Sequence, residues 1–169
     1  MIYLGILISG LLIGGVYALM SSGLALIFGV MNIVNLAHAA FIILGSYIAF
    51  FGANLFGIDP MISVPINMVI MFGLGTVLYK LLFTQMPDRA RFVEYTVLMT
   101  FALALVVEGT MTFAFTGIFR STNPSYATQS LQFASFHFSM SRIFATALSL
   151  ALLLGVYILL QTTKTGRAI

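Results

Sequence analysis

The sequence predicts an all-α, polytopic membrane protein with about five transmembrane segments and a helix break near residues 30–38. Three observations carry that prediction. Of 169 residues, 61% are hydrophobic and 7% charged, and the mean hydropathy is +1.12, outside the usual mix of soluble domains. No charged side chain precedes Asp59, so the first 58 residues hold apolar length for two spans of about 20 residues each. The apolar runs are continuous rather than alternating, which is the pattern of helices and not of a β-barrel.

Five segments, 2–30, 39–57, 62–83, 94–117 and 142–161, are each long enough, or nearly so, to cross about 30 Å of hydrocarbon as a helix. The first would be about 44 Å long as one helix, which implies tilt or an end buried in protein. It lacks the basic residues that precede the apolar core of a signal peptide, so it is expected to be retained as a helix. Ile58-Asp59-Pro60 reads as a tight turn, and 85–89 (QMPDR) brings proline and charge that end a helix. Both links are short, so their flanking helices should be antiparallel.

The few basic residues report orientation. Lys80, Arg89 and Arg91 cluster around one loop, and Lys164 and Arg167 follow the last helix, so both regions are expected on the cytoplasmic side. The 57–61 link and the 118–141 segment are then expected outside, although Arg120 and Arg142 flank the long segment and run against the bias. The side of the N-terminus depends on whether the 30–37 break reaches the cytoplasmic surface or stays at depth, and an outside N-terminus is favoured. A single transmembrane domain, 1–169, is the expected organisation. Its 119–141 segment, rich in Ser, Thr, Asn and Gln, should be external. There Phe136, Phe138 and Met140 alternate with His137, Ser139 and Ser141, the period of a short, half-buried extended piece.

Gly10, Gly14, Ala18 and Ser22 recur every four residues, placing small side chains along one face of the first helix and inviting close approach of another. Asn32, Asn35 and His38 recur every third residue. On a continuous helix they would sweep an arc of about 120°, with Gly45 returning to the side of His38. An unsatisfied amide or imidazole in hydrocarbon costs several kcal/mol, so these groups should face protein, water or a permeating solute. They either line a translocation path or cap helix ends where the backbone breaks. Glu108, about 14 residues into the fourth segment, is the one carboxylate well inside a span and a candidate for a path or gating role; the alternatives are that it is protonated or that it pairs with a basic residue on a neighbouring helix. Glu94 at the start of that helix is placed to complement its dipole.

Several function classes drop out. With no cysteine there are neither disulfides nor thiolate metal sites; His137 has no companion at metal-ligand spacing and reads as a solvated or interface histidine, and Asp59 reads as a turn residue. A net charge of +3 that resides in connecting segments is no nucleic-acid footprint. Neither a nucleophile with its base, a phosphate-binding glycine loop, nor paired carboxylates occur, so neither catalysis nor a cofactor is expected.

The run GLALIFGVMNIVNLAHAAFIILGSYIAF, preceded by GLLIGGVYAL and followed at the end by KTGRAI, resembles the permease subunits of ABC importers for branched-chain amino acids. Permeases of urea and short-chain amide importers are closely similar. Asn35, Ala37, His38, Leu44, Gly45, Ser46 and Tyr47 match the family pattern, while Ala39 and Ala40 stand where that pattern has a glycine and an acidic residue. Family members run to nearly twice this length, so the chain is expected to be the N-terminal portion of such a permease. The resemblance implies an importer in a bacterial or archaeal cytoplasmic membrane. It would join a second permease chain, two cytoplasmic ATPases and an extracytoplasmic solute-binding protein. Asn32, Asn35, His38 and Glu108 would line or shape the pathway, and Arg89, Arg91, Lys164 and Arg167 would face the ATPases. An ATP-independent channel or transporter and a purely structural membrane subunit are the rival classes. The first would be expected to show more membrane carboxylates than Glu108.

Overall fold

A computed structural model describes residues 2–84, 91–122, 124, 126–127, 130–133 and 136–163. Its helices are α1 (Ile2–Met31), α2 (His38–Phe56), α3 (Pro60–Leu78), α4 (Phe92–Phe115) and α5 (Met140–Thr162). A π-helical turn, Tyr79–Phe83, extends α3, and two short strands, β1 (Ser130–Phe133) and β2 (Phe136–Ser139), precede α5. Five helices among the described residues are long and apolar enough to cross a membrane, as the composition predicts. Their burial follows membrane logic: apart from Ile33 and Met111 the buried residues are small or hydroxylated, such as Ala37, Ala40, Thr96, Thr100, Thr146 and Ser149, while Phe72, Phe113 and Phe119 are exposed.

Two compact units form, 1–31 with 123–169, and 32–122. In the first, α1 packs against α5. Gly5, Ile8, Leu12, Gly15, Leu19, Ser22 and Leu26 are half-buried at alternating spacings of three and four, which places them along one face of α1. The helices approach closely at Gly15, where an added Cβ would lie 2.8 Å from Thr146 Cγ2. The Thr146 hydroxyl points across the seam, 2.7 Å from the Leu12 carbonyl and 2.7 Å from that of Arg142. Glycine is needed here because any side chain would meet that methyl. β1 and β2 pair antiparallel with Ser130 opposite Ser139 and Phe133 opposite Phe136.

In the second unit, α2 and α3 form a hairpin whose turn chemistry is local. Gly57 adopts a left-handed conformation (φ 66°) and its N–H donates to the Ala53 carbonyl, while Ile58 N–H reaches the Gly52 carbonyl. That pairing satisfies the last carbonyls of α2. Asp59 then accepts from Met61 N–H at 2.8 Å and Pro60 occupies the first helical position, so the stop and the restart occupy three residues. Asn67 of α3 donates its amide to the Gly45 carbonyl of α2 at 3.3 Å, and its own Oδ1 is buried without a hydrogen-bond partner. α4 joins through rings: Phe115 stacks on Tyr47 at 4.8 Å and tilts against Phe51 at 5.1 Å.

The break expected near residues 30–38 is present: residues 32–37 are not helical, so Asn32, Asn35 and His38 do not lie on one continuous helical face. The cause is Asn32, whose φ of 53° ends α1, a conformation asparagine tolerates better than most residues. Met140 and Ser141 belong to α5 rather than to an extended piece, because β2 ends at Ser139.

Candidate functional site

Asn32, Asn35 and His38, singled out in the sequence, lie at the break between α1 and α2. Beyond Asn32, Ile33 is buried, and the chain turns so that His38 N–H donates to the Asn35 carbonyl at 3.3 Å. The Asn35 side chain accepts from Ala37 N–H at 3.1 Å, an Asx turn that satisfies one orphan donor at the start of α2. Ala37 itself offers no capping side chain, so Asn35 supplies that function from two residues upstream. His38 is the first residue of α2 and half-buried, and Asn32 is exposed.

The break is anchored by a residue the sequence pattern does not flag. Thr100, in α4 and 1% exposed, places its Oγ1 2.9 Å from the Val34 carbonyl and receives the Leu36 N–H at 3.1 Å. A backbone that leaves a helix must find partners outside it, and here a single hydroxyl serves both a carbonyl and an N–H. Ala37 and Ala40, at 0% and 1% exposure, let the first turn of α2 pack closely. Ala40 stands where the family pattern has an acid, and a carboxylate there would be buried.

Glu108 is not part of this cluster. It lies eight residues after Thr100 on α4, about 12 Å further along the axis and about 80° around it, on an exposed face. Gly10, Gly14 and Ala18 are exposed, and an added Cβ at either glycine would meet nothing within 4 Å; Ser22 alone of the four is half-buried. Arg91 is exposed at the entrance to α4, whereas Arg89, Lys164 and Arg167 lie outside the described residues. Glu94 occupies the first turn of α4.

Along the middle of α2 a half-open cavity of about 700 Å³ is lined by Ser46, Tyr47, Phe50, Phe119, Arg120 and Thr122, among others. The Arg120 guanidinium lies 5.7 Å from the centroid of the Phe50 ring and donates to the Phe115 carbonyl at 3.1 Å. Sequence reasoning gave Arg120 only a topological role. The signal that could have located this contact is the aromatic cluster Tyr47, Phe50, Phe51 facing the end of the fourth segment.

Comparison with known proteins agrees with this architecture. The family described as "Branched-chain amino acid transport system / permease component" matches residues 6–169. A probable branched-chain amino acid transport permease protein, LivH, of Methanocaldococcus jannaschii is 30% identical over 167 residues, covering 97% of this chain and 53% of that protein. The high-affinity branched-chain amino acid transport system permease protein BraD of Pseudomonas aeruginosa is 37% identical over 71 residues, 42% of this chain and 23% of its own length. The chain thus spans about half the length of the archaeal relative. No solved structure matches. A match across nearly the whole chain, together with five apolar helices, makes this a multi-pass membrane protein that belongs to the permease-component family of branched-chain amino acid transport systems.

Proposed function

We propose that the chain supplies part of the translocation pathway of an ATP-driven importer for branched-chain or related amino acids. The observation that carries the proposal is the interrupted α1–α2 junction: peptide groups freed from helical bonding, flanked by Asn32, Asn35 and His38, in a chain whose family is a permease family. Irregular backbone between membrane helices is tolerated where it is buried in protein or lines a water-filled cavity, and broken helices are where transporters of several folds bind their solutes. A zwitterionic solute leaving water needs donors and acceptors along its route, and amide side chains with an imidazole offer both.

In this reading ATP hydrolysis belongs to two cytoplasmic partner subunits, contacted on the side of Arg89, Arg91, Lys164 and Arg167. A second permease chain completes the pathway, and an extracytoplasmic binding protein, meeting the 119–141 segment, delivers the solute and carries most of the selectivity. The setting is the cytoplasmic membrane of a bacterium or archaeon.

The test is reconstitution of the protein in liposomes with its partner permease, ATPases and binding protein, followed by uptake of labelled leucine. Uptake that needs both ATP and the binding protein, and that excess urea does not suppress, supports the proposal. Leucine uptake without ATP would replace it with the channel or secondary-transporter class.

A further inference from the structure

Thr100 carries more contacts than a helical threonine needs. Its neighbour Thr96, equally buried, makes the ordinary bond within its own helix, to the Val93 carbonyl at 2.8 Å. Thr100 Oγ1 lies 2.7 Å from the Thr96 carbonyl and 3.2 Å from that of Val97, the same kind of contact. It also lies 2.9 Å from the Val34 carbonyl and accepts the Leu36 N–H at 3.1 Å.

A hydroxyl has one proton and two lone pairs. The bond from Leu36 N–H can form whichever way the proton points, whereas the bond to Val34 forms only when the proton turns away from the α4 carbonyls. One side chain therefore grips the unwound segment by two bonds or by one, and passes between them by rotating a proton, with α4 and the threonine rotamer unchanged. Val34 and Leu36 flank Asn35, so the grip fixes the backbone that carries the Asn35 amide.

We infer that Thr100 is a positioning residue of the pathway: its hydroxyl holds the 34–36 backbone on α4 and so sets where Asn35 and His38 stand during transport. This rests on the proposed pathway function for its transport arm only. Two readouts separate the parts: hydrogen exchange at the Leu36 amide, and the maximum rate and KM of leucine uptake in the reconstituted importer. Thr100→Val, which keeps the shape and removes the hydroxyl, should speed Leu36 exchange about tenfold, the equivalent of one lost hydrogen bond. It should lower the maximum uptake rate and leave KM unchanged, because the binding protein sets KM. Thr100→Ser should restore both, and Thr96→Val, which removes only an intrahelical bond, should leave Leu36 exchange as it was. If Thr100→Val does not accumulate, Thr100→Ala is read in the same way.

Leu36 exchange in the hydroxyl-free variant equal to that of the unmodified protein would overturn the inference. So would faster exchange with an undiminished uptake rate. Failure of the unmodified protein to import leucine would instead sink the pathway proposal, and the exchange rates would still decide whether Thr100 holds the segment.

Discussion

Replacing Gly15 by alanine should destabilise the α1–α5 pair, although alanine is the better helix former. The added Cβ would lie 2.8 Å from Thr146 Cγ2, against an ordinary contact of 3.4 Å or more. Relief requires either that the helices part or that Thr146 change rotamer. A rotamer change carries its hydroxyl away from the Leu12 carbonyl, 2.7 Å distant. Overpacking of this kind costs about 1–3 kcal/mol, and the lost hydrogen bond about 1 kcal/mol more. The gain in helix propensity returns roughly 1 kcal/mol, so the net loss should be about 1–3 kcal/mol. The measurement is a denaturation curve of the purified protein in mild detergent. Gly14→Ala, where an added Cβ meets nothing within 4 Å, serves as the reference and should be neutral or slightly stabilising. Thr146→Ser, which removes the offending methyl and keeps the hydroxyl, should recover most of the loss in the Gly15→Ala background, giving a coupling energy above about 0.5 kcal/mol. Equal stability of Gly15→Ala and Gly14→Ala, or additive behaviour with Thr146→Ser, would refute the assignment of Gly15 to the seam.

Two further outcomes follow from local geometry. Thr116 ends α4 at φ 58° and ψ 151°, a region that suits glycine and not a β-branched residue, so Thr116→Gly should raise stability by about 1 kcal/mol in the same denaturation assay; a drop would show that the threonine side chain is worth more than the strain. Asp59→Ala should cost about 1 kcal/mol by removing the acceptor for Met61 N–H, and Asp59→Asn should restore most of it; equal stability of the alanine and asparagine variants would count against the cap.

Much of the fold is written in single residues. Gly57, Asp59 and Pro60 each suit only one position at a helix stop and restart, so the α2–α3 turn could be read directly. The spans were legible because hydrocarbon imposes a length that composition reports. The junction at 32–37 was legible as a place but not as a shape: the three-residue spacing of Asn32, Asn35 and His38 suits a helix as well as a break, and only the left-handed Asn32 decides.

The helix seam shows the other limit. Small residues crowd α1, and a one-residue rotation separates Gly14 from Gly15; which of them meets Thr146 depends on how α5 lies, which no local pattern records. Thr100 was invisible for a similar reason. A threonine in an apolar helix ordinarily bonds its own backbone, and nothing in its neighbours announces that the segment 64 residues upstream will use it too. Asn67, whose amide reaches the Gly45 carbonyl, escaped notice because a lone amide in an apolar run has no companion to form a motif.

Whether the α1–α2 break lies on the route of the solute is read from ATP- and binding-protein-dependent leucine uptake by reconstituted importer carrying Asn35→Leu or His38→Leu. Protein level and denaturation midpoint are measured alongside, because loss of the Asn35 cap alone should cost about 1 kcal/mol of stability. Both folded variants should import leucine at least tenfold more slowly than the unmodified protein; undiminished uptake in both would remove the break from the route.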